Sequence, residues 1–124
     1  MDFKDKKAIY MQIADRICDE ILLGEFKAEN RIPSVREYAT IVEVNFNTVM
    51  RSFDYLQSLE IIYNKRGIGY FVAAEAKKII LSIRKETFLK NDTNDFFKQM
   101  YLLNISIEEI TTMYNEYIKQ QENK

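Results

Sequence analysis

The sequence predicts a mainly α chain with a small β-hairpin, divided into an N-terminal winged helix-turn-helix over 1–73 and a short helical region over 74–124. Three observations carry that expectation. Apolar residues recur at helical spacing through most of the 124 residues. Only three glycines and one proline interrupt them, too few for a sandwich of many short strands. Two β-prone runs, Ile61-Ile62-Tyr63 and Tyr70-Phe71-Val72, flank a connection that carries Gly67 and Gly69.

The first helix is predicted over 8–23, where Ile9, Ile13, Ile17 and Ile21 step by four and Gly24 offers a C-terminal stop. Cys18 lies beside Ile17 and reads as a small buried hydrophobe rather than a reactive thiol. Residues 25–33 lack a helical period and end at Pro33. Ser34-Val35-Arg36-Glu37 then fits a capping box, opening a helix of about two turns through Val35, Tyr38, Ala39 and Val42. Asn45 is a second N-cap, followed by the stripe Val49, Phe53, Leu56 and Leu59. Two capped helices with a short break between them form a helix-turn-helix pattern. A hairpin behind it reads as a wing.

Beyond residue 74 the stripes are Ile79, Ile80, Ile83 and Phe88, with a helix end near Lys90. Asn91 to Asn94 read as a turn with Asp92 as N-cap. Phe96, Phe97, Met100 and Leu103 follow. Ser106 to Glu109 read as another capping box, opening a last helix through Ile107, Ile110, Met113, Tyr114, Tyr117 and Ile118. The polar tail Gln120 to Lys124 reads as fraying.

Composition argues against several functions. The chain has no histidine, so it has no ordinary catalytic triad, His base or His metal ligand. One cysteine cannot build a thiolate metal site or an internal disulfide, and its isolation suits a reducing compartment. Lys65-Arg66-Gly67-Ile68-Gly69 lacks the spacing of a phosphate-binding loop. The residues therefore name no cofactor, no metal and no enzyme activity. No run is long enough to span a membrane and no signal-peptide core opens the chain, so a cytoplasmic location is expected.

Charge gives no help with a partner. Eighteen basic and 19 acidic side chains leave a net charge of −1. Residues 1–73 hold ten basic and eleven acidic groups, so no basic domain hides within the total. A DNA-binding surface must come from local placement, with Arg31, Arg36, Arg51, Lys65 and Arg66 as its cations.

Placement does suit DNA. The second helix of such a motif enters the major groove by its N-terminal turn. Here that turn carries Asn45, Asn47 and Thr48, which can meet base edges or phosphates, and Arg51 lies one turn after Asn47. Asn45 fits a cap as well as a base contact. Phe46 either covers the core or meets a partner. Ser34 and Arg36 open the preceding helix beside the backbone, although Arg36 could instead pair with Glu37 or Glu43. Lys65, Arg66 and Gly67 form a wing tip that could reach flanking phosphates or the minor groove. The other class of function is a winged-helix protein–protein module without DNA binding, which the near-neutral charge favours.

The C-terminal stripes are too short to enclose a roomy ligand cavity. Their aromatic content predicts a two-fold homodimer through 76–118, reading a palindromic double-stranded DNA operator with half-sites about one helical turn apart. No motif identifies a small-molecule effector, and no membrane partner is indicated.

The stretch from Ala8 to Val72 resembles the DNA-binding domain of the GntR family of bacterial transcription regulators. The resemblance lies in Ile9 to Ala14, Gly24-Glu25-Phe26, Arg31 to Glu37, Asn45 to Arg51, and Arg66 to Val72. The short C-terminal region resembles the YtrA-like subfamily, with its small helical dimerisation module. The resemblance implies DNA contacts from Arg36, Asn45, Asn47, Thr48, Arg51, Arg66 and Gly67, and a repressor role, often at transporter operons. This chain has Glu43 where the family's turn usually has glycine, Ala28-Glu29-Asn30 where proline and glycine are usual, and Phe46 where proline is frequent.

Overall fold

The computed structural model describes residues 7–123. They fall into two compact units that divide between Ile83 and Arg84. The fold is mainly helical with a small antiparallel hairpin. No helix among the described residues is long and apolar enough to cross a membrane.

In the first unit, α1 spans Ile9–Leu22, α2 Val35–Val42 and α3 Phe46–Ser58. Strands β1 (Ile62–Lys65) and β2 (Gly69–Val72) form the hairpin, and α4 begins at Ala76. The four-residue steps of α1 bury Ile13, Ile17 and Ile21. They meet Val49, Phe53 and Leu56 of α3 and Val35 and Tyr38 of α2 in one core. Phe53 is fully buried, edge-on to Tyr70 at 4.9 Å and beside Tyr38 at 6.2 Å. The Tyr38 hydroxyl donates to the Glu20 carboxylate. Burial and that acceptor push the phenol's pKa up, so it remains a donor. Cys18 is buried, as its position beside Ile17 predicts.

The helix boundaries follow local chemistry. Ser34 and Glu37 form the full reciprocal capping box. The Asn45 side chain accepts from the Asn47 N–H. Glu43 ends α2 in the left-handed region at φ 56°, and the Glu43 and Val44 amides both return to the Ala39 carbonyl. Glu60 does the same after α3 at φ 64°, with Ile61 N–H bonding Leu56 O at 3.0 Å. Glutamate thus occupies backbone positions that glycine would take without strain.

The hairpin pairs Ile62 with Val72 and Lys65 with Gly69. A third segment joins it, one that periodicity did not reveal. Ile32 N–H donates to Tyr70 O and Val72 N–H to Asn30 O, laying Asn30–Ile32 along the free edge of β2. Non-local pairing of this kind leaves no mark on three residues next to a proline.

The first unit also extends past the boundary read at residue 73. Ala76 and Ile80 of α4 are buried in its core, so the opening turns of that helix belong to it. Their apolar faces find a ready-made surface there.

In the second unit, α4 ends at Thr87 and a π-helical stretch covers Phe88–Asp92. Helix α5 spans Thr93–Leu102 and α6 Ile107–Glu122. The turn expected at Asn91–Asn94 does not form, and Asp92 keeps helical angles rather than capping. Thr93 and Asn94 side chains donate back to the Leu89 and Lys90 carbonyls, so polar groups that suit a turn instead serve a continuous helix. Asn104 at φ 56° closes α5, and the Ser106 hydroxyl caps α6 through the Glu109 N–H. The tail remains helical to Glu122 rather than fraying from Gln120.

Candidate nucleic-acid interface

Helix α3 stands on α1 through a buried polar pin. The Ser52 hydroxyl is fully buried and donates to the Tyr10 carbonyl at 2.7 Å, with the Thr48 carbonyl 3.2 Å away. With Val49 and Phe53 held in the core, Asn47 and Arg51 are left exposed and Thr48 half-exposed. These three share a shallow groove with Ala8, Ile9 and Tyr10. The structure therefore brings together the polar turn that the sequence singled out, and adds a wall from α1.

The caps limit what two predicted residues can do. Ser34 Oγ accepts from the Glu37 N–H at 3.1 Å, and the Ser34 N–H donates to Glu37 Oε1 at 2.9 Å. Asn45 Oδ1 accepts from the Asn47 N–H at 2.8 Å. Both side chains thus present their helix N-termini. The Ser34 hydrogen bonds, backbone first, with Arg31's charge behind them, hold the Glu37 carboxyl below the usual carboxylate range.

Three of the predicted cations rest on aromatic rings supplied by other elements. The Arg51 guanidinium lies 3.9 Å from the Tyr10 ring centroid. Arg36 lies 5.8 Å from that of Phe46, and the Lys65 ammonium 4.5 Å from that of Phe71. Phe71 in turn stacks on Tyr63 at 5.7 Å. Among the described residues no carboxylate forms an ion pair with Arg36, Arg51 or Lys65, so the alternative pairing of Arg36 with Glu37 or Glu43 does not occur. Phe46 remains 45% exposed, in a shallow depression with Arg36, Ala39, Thr40 and Val44. It stays out of the core.

At the wing tip, Ile68 N–H bonds Lys65 O at 2.9 Å and closes the turn around exposed Arg66 and Gly67. Gly67 takes φ 81° with open space around it. Gly69 takes φ 142°, where any L side chain would be strained. A Cβ there would stand 2.7 Å from Arg31 Nε, so the missing side chain lets the guanidinium lie against the strand. Tyr10 and the seating of Arg31 escaped sequence reasoning. Tyr10 read only as a flank of the α1 stripe, and the contact of Arg31 with Gly69 spans 38 positions.

A capped second helix with a polar, outward-facing first turn, backed by a cation-bearing hairpin, defines a winged-helix DNA-binding domain. The chain belongs to the gntR family of bacterial regulatory proteins, whose pattern matches residues 9–72, and within it to the YtrA-like regulators. It is similar to the regulator YhcF of Bacillus subtilis, 35% identical over 87% of this chain and 88% of that protein. It is also similar to the repressor YtrA of the same organism, 29% identical over 97% and 88%. Among solved structures, a GntR-family regulator from Bacteroides thetaiotaomicron is 64% identical over 92% of this chain and 99% of that one, with a TM-score of 0.82. The DNA-binding domain of AraR in complex with operator ORX1 matches 56% of this chain and 84% of its own, at 26% identity and a TM-score of 0.54. The protein is a GntR-family transcription regulator with a DNA-binding domain.

Proposed function

We propose that this regulator is a cytoplasmic, non-enzymatic repressor that binds a palindromic operator as a homodimer through its C-terminal helical region. The observation that carries the reading is the exposed face of α3, where Asn47, Thr48 and Arg51 stand clear of the core. Asn47 and Arg51 offer side-chain donors of the kind that read base edges in the major groove. The α2 and α3 N-termini, capped by Ser34 and Asn45, offer backbone N–H groups to phosphates. Arg36 adds charge beside the first, and Lys65, Arg66 and the close-approaching Gly67 reach flanking backbone from the wing. A structural relative bound to operator DNA and a sequence relative named a repressor support this reading.

The dimer part rests on the second unit. No side chain from 84 to 123 is buried. Phe88, Leu89, Phe96, Phe97, Met113 and Tyr114 are all more than 45% exposed. Apolar side chains packed so densely along the π-helical stretch, α5 and α6 need a cover, and a second copy supplies one with two-fold symmetry.

Selection of bound sequences from a random duplex library tests both parts together. A palindrome with half-sites about 34–36 Å apart is the expected product. The recovered site then serves in a salt titration of the Arg36→Ala, Arg51→Ala, Arg66→Ala triple variant. Each lost phosphate contact should reduce the log–log salt slope by about one. An unchanged affinity in the triple variant would refute the interface, and failure to enrich any sequence would favour a protein–protein module.

A further inference from the structure

The interface solves a problem that composition poses: the DNA-binding unit is not basic, and its cations must be held in place without being neutralised. Arg51 shows how. Its guanidinium lies 3.9 Å from the centroid of Tyr10, a residue of α1 outside the helix-turn-helix. Tyr10 is itself fixed from two sides. Its carbonyl accepts from the buried Ser52 hydroxyl, and its ring meets Tyr55 edge-on at 6.2 Å and 82°. The ring is therefore a rigid seat for a side chain that otherwise has many rotamers to lose on binding.

A carboxylate could also hold Arg51, but it would cancel the charge that a phosphate needs. An aromatic face restrains a cation and leaves its charge and its N–H donors available. Among the described residues Arg51 has the ring and no ion pair. Lys65 on Phe71 repeats the arrangement at the wing, and Arg36 near Phe46 repeats it more loosely.

We infer that Tyr10 is a positioning residue for DNA recognition: its ring presets the Arg51 guanidinium toward the groove between α1 and α3, so that α1 contributes to binding through the residue it holds. This inference rests on the DNA-binding reading above.

Two measurements on the full chain test it. In the free protein, the Arg51 δ protons should show an upfield ring-current shift that persists in Tyr10→Phe and disappears in Tyr10→Leu. On the selected operator, Tyr10→Leu should weaken binding about two- to fivefold, the range expected of one exposed cation–π contact, while Tyr10→Phe binds like the parent. The double-mutant cycle separates positioning from a general packing defect. In an Arg51→Ala background, Tyr10→Leu should cost nothing further. An unshifted Arg51 in the parent, unchanged binding by Tyr10→Leu, or an equal loss with and without Arg51 overturns the inference. If the parent chain binds no duplex at all, the DNA-binding reading fails and the positioning role falls with it, even where the ring-current shift shows the seat to be present.

Discussion

Residues 7–83 close a core around Ile17, Phe53 and Val72, whereas residues 84–123 carry a comparable run of aromatic and aliphatic side chains and bury none of them. Both regions were legible as amphipathic helices, yet the same periodicity has different consequences. In the first, α1, α2, α3 and the hairpin surround one another from several directions, so each stripe has a facing partner within the chain. In the second, α5 and α6 supply too few surfaces to enclose their own stripes. A helical stripe reports that a face must be covered. It does not report whether the cover lies on the same chain.

The sharpest test of that contrast is to remove one side chain from the closed core. Phe53→Ala deletes a ring that is fully buried against Tyr38 and Tyr70. Urea unfolding should show a loss of roughly 3–5 kcal/mol, and a loss below about 1 kcal/mol would mean that the first unit is not packed as described.

Phe97→Glu combined with Tyr114→Glu should do the opposite. Both residues are more than half exposed, so the thermal melt of the first unit should stay in place. For the proposed homodimer, light scattering should then report monomer, and operator affinity should fall about a hundredfold or more as its two DNA-binding units lose their link. A dimer that survives both charges would move the interface elsewhere.

Backbone strain offers a smaller effect confined to the first unit. Glu43 sits at φ 56° in the turn between α2 and α3. Relief of that strain exceeds the entropic disadvantage of glycine, so Glu43→Gly should raise stability by up to about 1 kcal/mol. A lower melting temperature would show that the Glu43 side chain contributes a contact worth more than the strain.

The smallest expected effect is a pH dependence. The folded pKa of Glu37 lies below its unfolded value because the Ser34 hydrogen bonds favour the carboxylate. Its contribution is therefore present above the ordinary carboxylate range and lost as the pH falls through the depressed value. Acid titration of stability should be shallower in Glu37→Gln than in the parent, and identical curves would place the acid sensitivity elsewhere.

Much of the fold was legible because its signals are local. Ser34 with Glu37, Asn45 with Asn47, and the step-of-four isoleucines act within one or two turns, where the covalent chain already sets the geometry. The winged helix-turn-helix and the family resemblance followed from those signals in order. Where local signals misled, a competing local bond explains it: Thr93 and Asn94 read as turn residues but bond back along a continuous helix.

The sequence by itself determined α1, α2 and α3, the Ser34 and Asn45 caps, the hairpin and the polar first turn of α3, since each depends on neighbours a few residues apart. Only the tertiary structure decided that Asn30–Ile32 pairs with β2, that Arg31 lies on Gly69, that Ala76 and Ile80 complete the first core, and that Tyr10 holds Arg51. Those contacts join residues about 40 positions or more apart, apart from the α4 pair, which closes onto a core assembled from the whole unit. Their partners are selected by packing, and packing exists only once the chain has closed on itself.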